Sequence, residues 1–519
     1  MKVRITTSVI VLCALAALWL PPRYVTLGQE IEATSKPFEG VEVNILTYLE
    51  ILEPLRSHAG DFGTISGATI NIVGVPYGDL YQNILTDLRG TNQYDAYVFL
   101  PQWLVDYVET GNIEDLTARV MADPDLQWED VAPFYRNYHT TYGGRIYTIP
   151  LDGDFMMLYY RKDLLEQVQV RPPATWQEYL QVAARFHGQD LNEDGEPDFG
   201  SCIPKYRFIL FWFFFTFATP YLQSLGTSQG VFFNIRTMEP LANNPAFAAA
   251  LEVFRDTGDY GPPDQLNLNA GAIRDLFVSG RCALAVDWGD LGMWAIGSYV
   301  ADRTGVAILP GSEQVFDRDK GQMVWCKDNP AMCPYAINGI NHAPFAAVGG
   351  WSAALNATSD PRVKDAAYAF FSYVSQPEQS AWDVTQYTTG FNPYRISHFE
   401  NIEPWLDAGM SRDLANSYLG AIEQSLGNAN MALDLRLPGT HEYQEAVNQA
   451  VRDFLEGSTG QALDRALHGS ADDTTTCMQQ IYQSWQQITD KYGRSLQQER
   501  YRKSLSWREL YLPVIRKQR

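Results

Sequence analysis

The sequence is poor in the residues and motifs that mark metalloproteins and many enzymes. Its 519 residues include only six cysteines and seven histidines. No Cys-x-x-Cys pair occurs and the histidines are scattered, which argues against the common zinc sites. P-loop, His-Glu-x-x-His and Gly-x-Gly-x-x-Gly motifs are also missing, so the sequence carries no nucleotide-binding or zinc-hydrolase signature.

Positive charge is also scarce. Lys and Arg total 39 against 61 Asp and Glu, which gives a formal net charge of -22. Such a chain is repelled by nucleic acid and by anionic membrane surfaces, so neither is expected as a partner. The composition, 46% hydrophobic and 19% charged, is that of a soluble globular protein. A chain of this length exceeds what one core usually supports, so we expect at least two lobes.

Long hydrophobic runs are nearly absent. Residues 9–20 form an apolar run that follows Lys2 and Arg4 and is too short for a comfortable membrane span. This layout suits a secretory signal, so we expect a signal peptide over residues 1–28 and a periplasmic location. Retention as an uncleaved membrane anchor is the alternative. The apolar run 208–217 reads instead as a buried helix or strand.

Export places the remaining cysteines in an oxidising compartment, where pairing is expected. Cys326 and Cys333 flank a turn-rich hexapeptide that can close locally, which predicts a bridge between them. A bridge between Cys202 and Cys282 is a further option and would leave Cys477 unpaired. The sequence leaves this second pairing open.

The order of the predicted elements indicates an α/β fold. Residues 41–47, 68–75 and 94–100 read as strands separated by helical stretches. This alternation is typical of βαβ units and a mainly parallel sheet, which binds ligands at the carboxyl ends of its strands. Tyr48 and Trp103 follow two of these strands, so we expect both to line a cleft.

Helical patterns dominate from Trp176 onward, with Thr175 as the N-cap of the first helix. Further helices are expected at residues 244–255, 272–279, 361–374 and 442–455. Residues 310–344, rich in Gly, Asp, Asn and Pro, are expected to form a surface insertion. For the comparatively basic residues 493–519 we expect a solvated tail, with a docking helix as the alternative.

The most informative stretch is residues 144–163. Residues 144–150 read as a short apolar strand that ends in proline, and residues 155–160 as a second buried strand. Between them lies a loop that carries Asp152 and Asp154. Polar side chains on a loop between two buried strands are well placed to meet a ligand.

Several landmark stretches occur together with this one. They are Asn243-Asn244-Pro245-Ala246-Phe247, residues 277–290 with Trp288-Gly289-Asp290, Val348-Gly349-Gly350-Trp351-Ser352, residues 390–395 with Phe391-Asn392-Pro393, and residues 435–439. Each is weak alone, but their joint order over residues 40–490 is specific. On these motifs the chain resembles the extracellular solute-binding proteins of ABC importers, particularly the sugar-binding family 1 type.

The resemblance implies a two-lobed periplasmic-binding-protein fold of type II, similar to that of maltose-binding protein, with hinge strands between the lobes. Residues 39–152 and 352–400 would form lobe 1. Residues 153–351 and 401–492 would form lobe 2, which would hold the insertion at 310–344. The ligand would lie between the two lobes.

The resemblance also implies that the protein captures a solute without altering it, and that it docks as a monomer on the membrane subunits of an ABC permease. A neutral carbohydrate is the expected solute, because aromatic faces and fixed polar groups are what sugars require. The candidate ligand contacts are Tyr48, Trp103, Asp152, Asp154, Trp288, Asp290, Trp351 and Asn392. The plainer interpretation is that the tryptophans are core residues and that the two aspartates brace the hinge.

Three other functions stay open. The ligand could be a non-sugar polar metabolite, or the protein could serve a signalling partner as a sensor. A secreted glycoside hydrolase is the third, with Asp152 and Asp154 as the carboxyl pair. Residues two apart on one loop rarely face each other across a substrate, which argues against the hydrolase.

One acidic loop resembles an EF-hand calcium loop. Oxygen-bearing residues recur at alternate positions and Gly195 supplies the turn. Ser201 stands where such loops carry a bidentate Glu, so a further carboxylate would have to come from elsewhere. We expect a structural calcium ion here, with a plain acidic turn as the alternative. The predicted ligands are Asp190, Asn192, Asp194, Glu196 and Asp198.

Overall fold

The structure is a computed structural model that describes residues 36–458 and 471–505. The predicted signal peptide, and the membrane anchor that is its alternative, fall outside these residues. Among the described helices, none combines the length and the apolar character that a membrane crossing needs.

Strands from distant parts of the chain form two main sheets and three small ones. In chain order the strands are β1 Glu42–Tyr48, β2 Thr69–Val75, β3 Ala96–Phe99, β4 Thr141–Tyr142, β5 Arg145–Ile146, β6 Ile149–Pro150, β7 Met157–Arg161, β8 Phe199–Cys202, β9 Cys282–Asp287, β10 Thr304–Ala307, β11 Gln314–Asp317, β12 Gln322–Trp325, β13 Phe345–Ala346, β14 Ser352–Leu355 and β15 Ala432–Leu433.

Helices cover both main sheets. They are α1 Leu52–Ser66, α2 Tyr77–Thr86, α3 Leu104–Val108, α4 Thr117–Met121, α5 Lys162–Gln167, α6 Trp176–Phe186, α7 Leu210–Leu222, α8 Pro245–Asp256, α9 Ala270–Val278, α10 Asp290–Trp294, α11 Pro361–Val374, α12 Pro377–Asp383, α13 Ile396–Glu400, α14 Glu403–Asp407, α15 Arg412–Gly427, α16 Thr440–Ser458, α17 Ala471–Tyr492 and α18 Arg494–Leu505. Short 3-10 or π turns lie at Leu49–Ile51, Asp87–Thr91, Pro101–Trp103, Trp128–Asp130, Tyr135–His139, Arg207–Ile209, Thr227–Gln229, Thr257–Tyr260 and Pro330–Met332.

The first sheet has the order β2-β1-β3-β14-β6. Strands β2, β1 and β3 are parallel, and β14 pairs antiparallel with both β3 and β6, so that Ala353 lies opposite Val98 on one side and Ile149 on the other. Helices α1 and α11 pack on this sheet. Because β1, β2 and β3 run the same way, their carboxyl ends meet at one edge, where ligands of such sheets bind.

The second sheet has the order β10-β7-β9-β8. Strand β9 is buried along its whole length, as expected for a central strand covered on both faces. Helix α15 packs on β10, and α6 and α9 pack on β8 and β9. Each main sheet with its helices forms one lobe, so the α/β, two-lobed architecture predicted from the sequence is correct. The residue boundaries assigned to the lobes stay a prediction.

Three chain segments lie between the lobes, and the first two cross from one lobe to the other. Residues 151–156 run from β6 to β7, residues 347–351 run from β13 to β14, and the loop 384–395 lies between α12 and α13. These three segments, called the hinge segments below, meet at the centre of the molecule. Their contacts define the candidate site.

Local predictions agree closely with the structure. The first three strands begin or end within two residues of their predicted bounds, and α11 has the bounds expected from its sequence. Thr175 caps α6 by accepting a hydrogen bond from the Glu178 backbone at 3.1 Å. The apolar run 208–217 lies in α7, a helix whose residues are all buried. Of the two alternatives for this run, a helix or a strand, the helix is the one observed. Its 13 residues exceed the usual length of a strand.

The predicted Cys326–Cys333 bridge is present, and the Cys202–Cys282 pairing that the sequence left open also forms, while the remaining described cysteine, Cys477, is free and buried. The insertion at 310–344 carries the hairpin β11–β12 followed by the Cys326–Cys333 loop. Trp325 in this hairpin is among its exposed side chains.

The expectation of a solvated tail is wrong for residues 494–505. They form α18, in which Tyr501 and Leu505 are buried, and the Tyr501 hydroxyl accepts a hydrogen bond from the Phe232 backbone at 3.1 Å. The helix carries mostly polar residues, and its few apolar side chains fit beside Gly230, where a Cβ would lie 2.8 Å from Leu505. Because so few apolar residues recur at helical spacing, the sequence does not predict that this helix packs on the protein.

Candidate ligand-binding site between the lobes

Asp152 joins all three hinge segments through its carboxylate. Oδ1 accepts hydrogen bonds from the backbone of Gly153 at 2.7 Å and of Asn392 at 2.6 Å. Oδ2 accepts one from the backbone of Trp351 at 3.2 Å. Asp152 is therefore a brace of the hinge, which is the plainer of the two roles that the sequence left open for it.

The hinge segments approach so closely that glycine is required at two positions. A Cβ on Gly350, which has a φ of +95°, would lie 2.2 Å from the Asp152 carbonyl oxygen. A Cβ on Gly153 would lie 2.4 Å from the Pro393 carbonyl oxygen. Real side chains do not tolerate such distances, so these glycines let the segments cross.

Asp154 faces the same centre but is held more loosely. Its Oδ1 accepts a hydrogen bond from Asn392 Nδ2 at 2.7 Å, and this amide also lies 3.3 Å from Asp152 Oδ1. Burial raises the pKa of Asp154 well above its usual value, and the nearby carboxylates of Asp152 and Asp290 raise it further. Burial likewise raises the pKa of Asp152, to about 8. Asp154 can thus be a protonated donor as well as an acceptor.

Lobe 2 brings a charged cluster to the same place. Arg274 on α9 donates two hydrogen bonds to Asp287, at 2.8 and 3.0 Å, and a third to Asp290 at 3.1 Å. This fork fixes Asp290 at the start of α10. Burial keeps the pKa of Asp154 well above its usual value, and the positive charge of Arg274 only partly opposes this rise.

Aromatic rings from lobe 1 and the hinge contact one another at the end of the first sheet. Tyr48, at the end of β1, stacks on Trp351 with the ring centroids 5.6 Å apart. Tyr77, at the start of α2, meets the Tyr48 ring edge-on at 5.7 Å. Both tyrosines are half-buried. Their rings lie at the carboxyl ends of β1 and β2, where the sheet topology predicts a cleft.

Lobe 2 contributes two tryptophans from the opposite side. Trp212, on α7, lies 6.3 Å from the Tyr77 ring and 6.3 Å from the Trp288 ring. The Trp288 carbonyl accepts a hydrogen bond from the Tyr159 hydroxyl at 2.7 Å, which fixes the backbone at the end of β9. Rings of both lobes therefore form one continuous group: Tyr48, Trp351, Tyr77, Trp212 and Trp288.

Asp434 orients the Trp212 ring. Its Oδ2 accepts a hydrogen bond from Trp212 Nε1 at 2.8 Å and one from the Val348 backbone at 3.0 Å. Val348 has a φ of +66°, a strained value for a β-branched residue. Burial raises the pKa of Asp434 to about 7. Strain of this kind concentrates at functional sites.

Several buried polar atoms in this region have no hydrogen-bond partner among residues 36–458 and 471–505. They include Trp288 Nε1 and both amide atoms of Gln102, which lies in the turn after β3. An unpaired buried polar atom costs on the order of 1–3 kcal/mol, and a ligand hydroxyl would remove that cost. The orphaned atoms thus point to a polar guest.

The structure brings most of the predicted contacts together, but not all in the expected way. Asp152, Asp154, Trp351 and Asn392 meet at the hinge, and Trp288 and Asp290 lie beside it in lobe 2. Trp103 is fully buried and its Nε1 lies 3.4 Å from Gln444 Oε1, so it supports the Tyr77 ring instead of facing open space.

Sequence reasoning missed four residues of this group. Tyr77 follows β2 just as Tyr48 follows β1, so the rule that identified Tyr48 could have identified it. Trp212 was hidden in an apolar run that reads as core. Arg274 and Asp434 had no local signal, because their partners lie in other elements.

The acidic loop at 190–198 has part of the geometry of a calcium loop. Asp190 accepts hydrogen bonds from the backbone of Asp194 at 3.1 Å and of Gly195 at 2.9 Å, and Gly195 has a φ of +90°. Asp198, however, is buried and bonded to Arg281 at 2.7 Å and to the Leu191 backbone at 2.8 Å. Within the described residues, no group of three or more Asp, Glu, His or Cys side chains is arranged to hold a metal. Calcium stays a prediction.

One Gly-x-Ser-x-Gly string does occur, at residues 226–230. Ser228 is exposed on the 3-10 turn Thr227–Gln229, which follows a helix. The serine of a nucleophile elbow needs a sharp turn between a strand and a helix, so this string does not carry hydrolase chemistry.

Curated relatives match only part of the chain. The mannitol-binding protein of Pseudomonas aeruginosa is 29% identical over 196 residues, which are 36% of this chain and 41% of that protein. A binding protein of Brucella abortus is 28% identical over 121 residues, 23% of this chain and 28% of the relative. A probable amino-acid ABC transporter periplasmic-binding protein of Sinorhizobium fredii is 20% identical over 66% of this chain and 70% of its own length. The chain thus spans about a quarter of the length of the Brucella relative.

Solved structures match nearly the whole fold. An ABC transporter solute-binding protein of Agrobacterium radiobacter K84 in complex with ribitol has a TM-score of 0.69 at 19% identity, covering 87% of this chain and 100% of that one. Maltose-bound MalE3 of T. maritima has a TM-score of 0.65 at 18% identity, covering 86% and 100%. The likeness confirms the two-lobed, maltose-binding-protein-like fold.

A family profile provides the link at the level of sequence. The profile described as bacterial extracellular solute-binding protein matches residues 53–381, more than half of the chain. The matched region includes nearly all of helix α1, the hinge segments 151–156 and 347–351, and the Trp288 and Trp351 stretches. The chain belongs to the bacterial extracellular solute-binding protein family.

Proposed function

We propose that the protein captures an uncharged carbohydrate or polyol between its lobes and delivers it to the membrane subunits of an ABC importer. One observation carries this proposal. Aromatic rings of both lobes and buried hydrogen-bonding groups of the hinge converge on one place, with Trp288 Nε1 left unpaired. Sugars and polyols offer C–H faces for the rings and hydroxyls for the polar groups.

The names of similar proteins support the same ligand class. One relative is a mannitol-binding protein, and structures of the same fold hold ribitol, D-mannitol or maltose. The orphaned Trp288 Nε1 would donate to a hydroxyl oxygen. Asp154, whose Oδ1 accepts a hydrogen bond from Asn392, would accept a further hydrogen bond from another hydroxyl of the ligand.

To deliver the solute, the protein must change shape when the solute binds, so that the permease can distinguish the loaded form from the empty one. The lobes would close around the solute by rotation about the three hinge segments, driven by contacts that exist only in the closed state. The closed form would then dock as a monomer on the permease from the periplasmic side. Chemistry on the solute is not part of this proposal, because solute-binding proteins release the same molecule that they bind.

Calorimetric titration of a panel of sugars, polyols and amino acids tests the proposal. We expect binding of at least one sugar or polyol, and a loss of about tenfold or more for Trp288→Ala. The matched control is Trp382→Ala, which removes an exposed tryptophan of lobe 1. Binding of amino acids alone would favour a non-sugar ligand, and turnover of a chromogenic glycoside would favour a hydrolase.

A further inference from the structure

The lobes touch each other on more than one side of the aromatic group. At one side, the Tyr77 ring of lobe 1 meets the Trp212 ring of lobe 2 at 6.3 Å. Further out, the backbone of the exposed Gly78 lies against Phe208 of lobe 2, since a Cβ on Gly78 would be 3.5 Å from that ring. These contacts close the cleft along α2.

The same edge is closed beyond α2 by the C-terminal helices. Asp106 of α3 accepts a hydrogen bond from the Gly439 backbone at 2.9 Å, just before α16. His441 stacks on Tyr81 with the ring centroids 4.4 Å apart. Arg500 of α18 forms an ion pair with Glu109. Helices that pack on lobe 2 thus reach over the edge of lobe 1.

The opposite side of the aromatic group is narrow as well. A Cβ on Gly390, in the third hinge segment, would lie 3.2 Å from Asp290 Oδ1 at the start of α10. Arg274 donates a hydrogen bond to Asp290 at 3.1 Å, so this carboxylate is held beside the hinge segment. Charged groups of lobe 2 therefore flank this side.

We infer that the site holds a single small unit, one monosaccharide or one linear polyol, and that Tyr77, Trp212 and Phe208 set this size limit. A longer oligosaccharide would have to pass between the Tyr77 and Trp212 rings, whose centroids are 6.3 Å apart, or between Gly78 and Phe208, where even an added Cβ would lie 3.5 Å from the ring. Ring faces on both sides suit one sugar ring or one extended carbon chain, while the hinge groups bind its hydroxyls. This inference rests on the proposed function and specifies its substrate.

A ligand-length series tests the inference by calorimetry. The probes are ribitol, D-mannitol and D-glucose as single units, and maltose and maltotriose as longer chains. We expect at least one single unit to bind 100-fold or more tightly than maltotriose. Maltotriose binding as tightly as the best single unit would overturn the size limit and leave the proposed function intact. If none of the five compounds binds, both the size limit and the proposed function are overturned.

Widening the cleft gives a second readout that a structural role alone would not produce. For Phe208→Ala and Tyr77→Ala we expect the affinity ratio of the best single unit to maltotriose to fall at least tenfold. Tyr335→Ala, which removes an exposed ring of the insertion, is the matched control and should leave the ratio unchanged. Circular dichroism checks that each variant folds. An unchanged ratio in both folded cleft variants would overturn the assignment of these residues.

Discussion

The side-chain amide of Asn392 lies 2.7 Å from Asp154 Oδ1 and 3.3 Å from Asp152 Oδ1, so one amide serves both carboxylates of the first hinge segment. The Asn392 backbone N–H adds a third bond, to Asp152 at 2.6 Å. The third hinge segment is thereby fixed to the first. Any change of Asn392 should affect both folding and ligand binding.

Replacing Asn392 by alanine removes the donor that the two carboxylates share. We expect the free energy of unfolding to fall by about 1–3 kcal/mol, because a buried acceptor loses its partner. Ligand affinity should fall as well, since Asp154 loses its orientation. Urea denaturation and calorimetry measure the two effects. Asn71→Ala on the exposed side of β2 is the control, and equal losses in both variants would contradict the role of Asn392.

Asp434 should make stability depend on pH. Burial raises its pKa to about 7 in the folded state, above the usual 3.9 of the unfolded chain. A carboxyl with a raised folded pKa stabilises the fold below the unfolded pKa, and this stability is lost as pH rises through about 7. We expect the ionisation of Asp434 to lower the free energy of unfolding by at most about 4 kcal/mol between pH 4 and pH 8.

Denaturation at several pH values measures this effect. Asp434→Asn should flatten the slope of stability against pH, while Asp413→Asn, on an exposed carboxyl, should not. Asp152, whose pKa is raised to about 8, adds to the slope in the same direction and remains in both variants. A parallel slope in wild type and Asp434→Asn would contradict the prediction.

Among the cysteines that follow residue 35, Cys477 should be the only one to react as a thiol, and it should do so only after unfolding. Of the cysteines beyond residue 35, four are bridged, and burial raises the pKa of the Cys477 thiol to about 12. The thiolate is the reactive form, so the folded protein should react very slowly with a disulfide reagent. A chain of residues 36–519 should show one thiol in denaturant, and Cys477→Ser none. Three or more thiols would show that a bridge is missing.

Calcium at the acidic loop can be tested without any sugar. If Asp190, Asn192 and Asp194 hold the ion, the melting temperature should rise by a few degrees in millimolar calcium and fall with chelator. Asp190→Ala should abolish the response. Magnesium serves as the control ion, because it demands a stricter octahedral geometry. If the melting temperature is the same with calcium and with chelator, the loop is an acidic turn that does not bind calcium.

Local features were predictable because their causes are local. The strands β1, β2 and β3, the cap at Thr175 and the loop between β6 and β7 follow from periodicity, turn residues and side-chain capping. The Cys326–Cys333 bridge closes over seven residues and needed no knowledge of the fold. The order of the family landmarks was enough to predict two lobes.

The roles of the site residues could not be read in the same way. Asp152 and Asp154 look alike in the sequence, yet only the position of Trp351 and Asn392, some 200 residues later, makes Asp152 the brace and leaves Asp154 partly free. Trp212 lies among phenylalanines in the sequence. Only its ring contact with Tyr77 in the folded structure identifies it as a candidate ligand contact. The sequence of helix α18 predicts a tail because its few apolar residues form no strong stripe.

The sequence by itself determined the class of fold, the family and the segments that cross between the lobes, because these depend on periodicity and on motifs within a few neighbouring residues. The tertiary structure decided which side chains share the cleft and how closely they approach one another. Hydrogen bonds and ring contacts form between atoms a few ångströms apart, and in this chain those atoms belong to residues separated by up to several hundred positions.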